Sequence, residues 1–147
     1  MNTVAKVIAI SSMLISSEMV SASEEALQLG TCLTDSLNGK ERKNLAKWIF
    51  LGMSSHSLIK PYSNVSESDF DHSNKFVGEL VTRLLTEDCP EQAKAAVKVN
   101  GAAAFEQAFE IVGQVAMQEL MTEPSVGQSL GAFEKYLDQE KINNVFN

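Results

Sequence analysis

Apolar residues recur every three to four positions along most of the chain, and strict alternation never lasts more than a few residues. That period is the mark of amphipathic helices. Ala26, Leu29, Leu33 and Leu37 define a first helix over residues 23–36. Ser23 can cap it, and Glu24 and Glu25 fall in the first turn, where the helix dipole favours acids. Asn38-Gly39 breaks the chain, and Asn38 with Glu41 makes a capping box for a second helix, residues 39–56. Leu45, Trp48, Ile49, Gly52, Met53 and His56 follow at helical spacing, while Ala46, Phe50 and Leu51 carry apolar surface around much of the circumference. A helix apolar nearly all round belongs in a core. This one is therefore expected at the centre of the fold, with Trp48 buried.

Residues 57–65, with Lys60-Pro61 and Ser63-Asn64, read as a loop. Ser66 to Asp69 is a second capping box, opening a third helix that buries Phe70, Val77, Leu80, Val81, Leu84 and Leu85 and stops before Cys89-Pro90. Glu79 and Arg83 are spaced to form a surface pair on it. A short fourth helix, residues 91–99, ends at Asn100-Gly101. The fifth, residues 102–121, has a broad apolar face around Phe105, Phe109, Val112 and Leu120, and should pack against the Trp48 helix. Val126, Leu130, Phe133 and Leu137 mark a sixth, and Ile142, Val145 and Phe146 a last turn folding back onto the core. Gly52, Gly78, Gly113, Gly127 and Gly131 interrupt these patterns and read as points of close helix crossing; Gly30 is tolerated if another helix passes close. The predicted architecture is all-α, a compact single-domain bundle of five to six helices.

The first 22 residues stand apart. Lys6 precedes a short apolar run, and Val20-Ser21-Ala22 presents a cleavage site, so residues 1–22 read as a signal peptide and residues 23–147 as the helical domain. Cleavage removes Lys6 and Glu18, one charge of each sign, and leaves the net charge of −7 unchanged. That sign excludes a nucleic-acid binder, which needs a basic face. No later stretch is long and apolar enough to span a membrane, so a soluble, periplasmic protein is expected. In an exported chain Cys32 and Cys89 should form one disulfide, and two cysteines allow a single intramolecular pairing.

The feature hardest to reconcile with a purely structural reading is Lys40-Glu41-Arg42-Lys43, followed one turn later by Lys47. Cations in the first turns of a helix oppose its dipole. Free N–H groups at a helix start bind anions, and Lys40, Arg42, Lys43 and Lys47 would strengthen such a site for a periplasmic protein's carboxylates or an anionic envelope component. The competing reading is a solvated face paired with neighbouring acids such as Glu24 or Asp35. A cluster of His56, His72, Asp69 and Asp71 could in principle hold a metal or act as acid and base, but HExxH, HxH and CxxC are all missing, so no metal or cofactor is assigned. GxSxG is missing as well, and no catalytic residue is assigned; a small hydrolase is the weakest alternative. A stronger one is a carrier of a lipid or other apolar molecule, with an interhelical cavity beside Trp48 lined by aromatics such as Phe50, Phe105, Phe109 and Phe133 with Met117 and Met121.

The segments TCLTDSLNGKERKNLAKWIFLGM, RLLTEDCP, VAMQELM and FEKYLDQEKINNVF resemble those of a group of small exported proteins of Gram-negative bacteria. The resemblance covers most of the domain. It implies a periplasmic setting and brings no activity or functional residue with it.

Overall fold

The computed structural model describes residues 22–146, so all of the expected signal peptide except Ala22 lies outside the described residues. Among those residues there are seven α-helices and no strand: α1 (Glu24–Asp35), α2 (Gly39–Ser54), α3 (Glu67–Arg83), α4 (Pro90–Asn100), α5 (Ala103–Met121), α6 (Pro124–Gly131) and α7 (Gln139–Phe146). The count exceeds the expected five to six because the Val126–Leu137 stripe does not stay in one helix. After α6 the chain tightens into a 3₁₀ turn, Ala132–Tyr136, and Leu137 turns extended (ψ 134°). Asp138 then restarts the helix, its carboxylate accepting from Lys141 N–H at 3.1 Å.

The caps form as the sequence predicts. Ser23 Oγ accepts from Ala26 N–H (3.2 Å), and reciprocal boxes close on Asn38–Glu41 and Ser66–Asp69. Gly101 ends α4 with φ 58°, in a region open to glycine and costly for other residues.

The centre of the fold is α1, not α2. Ala26, Leu29, Gly30 and Leu33 of α1 are fully enclosed against Ala104, Ala108 and Val112 of α5, with Ala93 and Ala96 of α4 and Leu80 and Leu84 beside them. Small residues decide this: alanines on α4 and α5 and the glycine on α1 let these backbones come close. The helix rich in large apolar groups, α2, lies on the flank and buries only Leu45, Ala46, Leu51 and Ser54. It packs on α5, as expected, and on α3. Yet Trp48 is 39% exposed and Phe50 46%, which corrects the expectation of a buried tryptophan.

Two other expectations fail for physical reasons. Gly30 does mark a close crossing, but a Cβ built on Gly52, Gly78, Gly113 or Gly127 meets nothing within 4 Å, and on Gly131 only a Glu134 carboxylate oxygen at 3.9 Å. The C-terminal turn does not return to the core: Val145 and Phe146 stand in solvent, and neither α6 nor α7 contributes a buried residue.

Cys32 of α1 and Cys89 are joined in a disulfide, with Cα atoms 6.0 Å apart. Its position follows from a widened turn after α3 (Leu84–Asp88), where Cys89 N–H donates to Leu84 C=O at 2.9 Å. Cys89 is wholly buried. The bridge closes a loop of sequence separation 57, a constraint worth about 4 kcal/mol in the chain-entropy picture.

Candidate interaction face

The start of α2 satisfies itself. Asn38 Oδ1 accepts from Glu41 N–H (3.0 Å), and Glu41 Oε2 accepts from Asn38 N–H (3.0 Å). The other carboxylate oxygen of Glu41 takes Arg83 Nη2 at 2.9 Å, and Arg83 Nη1 reaches Asp88 at 2.6 Å. Arg83 thus ties the start of α2 to the end of α3 beside the disulfide, instead of pairing with Glu79 on its own helix. Arg42 turns back as well, its Nη1 donating to Leu37 C=O at 2.6 Å and holding the α1–α2 corner.

These contacts divide the basic cluster. Arg42 serves the fold, and the helix end is already capped by Glu41. Lys40, Lys43 and Lys47 remain exposed and make no ion pair among the described residues, with Glu24 and Asp35 or with anything else. Spaced three and four apart, they form a row along the side of α2.

Beside that row lies a groove of about 400 Å³. Lys43, Ala46, Lys47 and Phe50 of α2 form one wall, and Glu119 and Leu120 of α5, Glu123 just before α6 and Val126 within it the other. Its lining is apolar at Ala46, Phe50, Leu120 and Val126, with Lys43 and Lys47 on the α2 side and Glu119 and Glu123 on the opposite side. The acidic wall has a sequence signal only in hindsight. An α2 apolar around its circumference, with too few helices to cover it, leaves Phe50 and its neighbours facing outward.

On the other side of α2 a second groove, about 420 Å³, runs between Trp48, Ile49, Gly52 and Met53 and the residues Phe70 and Asn74 of α3. Trp48 Nε1–H donates to Asn74 Oδ1 at 2.9 Å, fixing the indole across its mouth. This open groove is what lies beside Trp48, where the carrier reading expects an interhelical cavity. The aromatic residues expected to line it are dispersed: Phe105 and Phe109 pack on the core, whereas Met117, Met121 and Phe133 are exposed. A further surface depression, about 650 Å³, is a shelf along α1 past Cys32 to Gln92.

The histidines are engaged within their own turns. His56 Nδ1 accepts from Leu58 N–H (3.3 Å), and His72 Nδ1 lies 2.7 Å from Ser68 C=O. Asp69 is committed to the α3 cap. The Ser66 hydroxyl, then the Ser66 backbone N–H, hold its carboxyl below the ordinary 3.8, with smaller help from Lys47 and His72. Among the described residues no three His, Cys, Asp or Glu groups converge on a metal position.

These features define a small all-α, disulfide-stapled domain with an amphiphilic groove on one helix. No family model, curated protein or solved structure matches the chain.

Proposed function

We propose that this is an exported binding module that grips an apolar, charged segment of another protein chain along the side of α2. The observation that carries the reading is the grouping of Lys43 and Lys47, neither in a direct ion pair among the described residues, with Phe50 in the lining of an open groove. An aromatic anchor flanked by lysines suits a partner that supplies apolar side chains and carboxylates together. Export is supported by the half-buried Cys32–Cys89 bridge, because such bonds persist in oxidising compartments. A periplasmic setting also agrees with the group of exported proteins that the sequence resembles.

The test expresses the full chain, residues 1–147, with a C-terminal tag and isolates it from the periplasmic fraction with its partners chemically cross-linked. Intact mass should place the N-terminus at Ser23. A Lys43→Glu/Lys47→Glu form should lose a cross-linked partner that wild type retains. Arg42 is left alone because it holds the fold. The same adducts on both forms, or adducts on neither, would remove the α2 groove from the account.

A further inference from the structure

The segment beyond α5 has an amphipathic sequence and little to cover it. Apart from Val126 and Ile142, its large apolar side chains are exposed, Phe133 at 60% and Phe146 at 83%, together with Leu130, Leu137 and Val145. In the 3₁₀ turn Phe133 and Tyr136 lie on one line, since residues three apart eclipse there. In α7, Ile142, Val145 and Phe146 share a face. Singly exposed apolar residues are ordinary, but a run of them along one arm marks an interface.

We infer that the arm beyond Val126, residues 127–146, is the ligand of the α2 groove in a second copy of the chain, so that two copies exchange arms. The inference rests on the proposed role of the groove and names its occupant. Three observations support it.

The arm starts at the groove itself. Val126 forms part of the acidic wall, so two copies with their α2 faces opposed bring each arm to the other's groove. Such an exchange is isologous and closes at two copies.

The charges correspond on both rims. The arm carries Glu134 next to Lys135 and Glu140 next to Lys141, the last of which pairs with Asp138 at 3.1 Å and leaves Lys135 as the cation for the acidic rim; the groove sets Lys43 and Lys47 opposite Glu119 and Glu123. Glu134 and Glu140 have no ion pair among the described residues. An occupant with both signs fits these rims in one orientation, which a purely acidic one would not.

The size is sufficient. A stable interface draws about 20–30 residues from each side, and the arm with the exposed side of α2 reaches that range.

The experiment is sedimentation velocity on purified mature chain at up to about 100 µM, a range that detects even weak dimers. Wild type is expected to be a dimer. Phe133→Ser/Leu137→Ser should raise the dimer dissociation constant about tenfold or more while leaving the helical circular dichroism unchanged, and the melting temperature too at a dilution where wild type is itself monomeric. Lys43→Glu/Lys47→Glu and Glu134→Lys/Glu140→Lys should each be monomeric alone and should form a heterodimer when mixed. That rescue requires contact between groove and arm of different copies. A monomeric wild type overturns the inference, whether the arm closes on its own groove or the monomer floats with phosphatidylglycerol vesicles. So does a dimer indifferent to both arm variants. A monomer that still loses a foreign partner on Lys43→Glu/Lys47→Glu substitution would defeat arm exchange and leave the groove's binding role standing.

Discussion

Gly30 of α1 and Ile111 of α5 meet with no space for a side chain between them. A Cβ on Gly30 would lie 3.1 Å from Ile111 Cβ and 3.2 Å from the Ala108 carbonyl oxygen, with Ile111 Cδ1 closer still. The carbonyl is backbone within α5 and cannot swing aside, so this contact limits how closely α1 and α5 approach.

Gly30→Ala is therefore expected to destabilise the fold by about 1–3 kcal/mol, the usual cost of overpacking a core. Gly78→Ala, in open space on α3, should instead stabilise it by up to about 1 kcal/mol through helix propensity. Urea unfolding of the two variants beside wild type checks both signs. Equal effects would mean that the α1–α5 crossing is not close.

Trp48 should behave as a surface residue. Trp48→Ala is expected to cost less than about 2 kcal/mol, below the roughly 3–5 kcal/mol of a core tryptophan. As the chain has one tryptophan, its fluorescence reports this position alone. Emission should be red-shifted and readily quenched by acrylamide. If arm exchange occurs, dilution through the dimer–monomer transition should leave Trp48 emission nearly unchanged, because Trp48 faces the groove on the opposite side of α2.

The α3 cap should give a pH dependence of known sign. Asp69 has its carboxyl pKa lowered in the folded chain by the Ser66 hydroxyl and backbone N–H. A lowered folded pKa contributes stability above the unfolded value and loses it as pH falls through the folded one. Asp69→Asn should therefore melt below wild type at neutral pH. The gap should narrow as pH drops past 3.8 and on through the lower folded value. Melting curves across that range test it; a gap that persists in acid would mean Asp69 acts through something other than its charge.

Caps, helix starts and the disulfide were readable from local rules. Ser23, Asn38 with Glu41, and Ser66 with Asp69 act within a few residues of themselves, and two cysteines permit one pairing. The stripe Ala26, Leu29, Leu33 and Leu37 was equally legible, because a helix with one apolar face has one side to bury. The row of Lys40, Lys43 and Lys47 was visible too, although Arg42 could not be separated from it by spacing.

What the sequence by itself determined is thus the helical class, most of the helix starts and the staple. Only the tertiary structure decided which helix is central. Periodicity ranks helices by how much apolar surface they carry, whereas packing ranks them by how closely backbones can approach. The alanines of α4 and α5 and Gly30 therefore brought α1 to the middle and left Trp48 and Phe50 outside. Tertiary structure likewise decided that Arg83 serves Glu41 across a helix boundary, that Glu119 and Glu123 lie across the groove from Lys43 and Lys47, and that most large apolar side chains beyond Val126 stay exposed. Each depends on where distant segments come to lie, and the period of one helix holds no information about its neighbours.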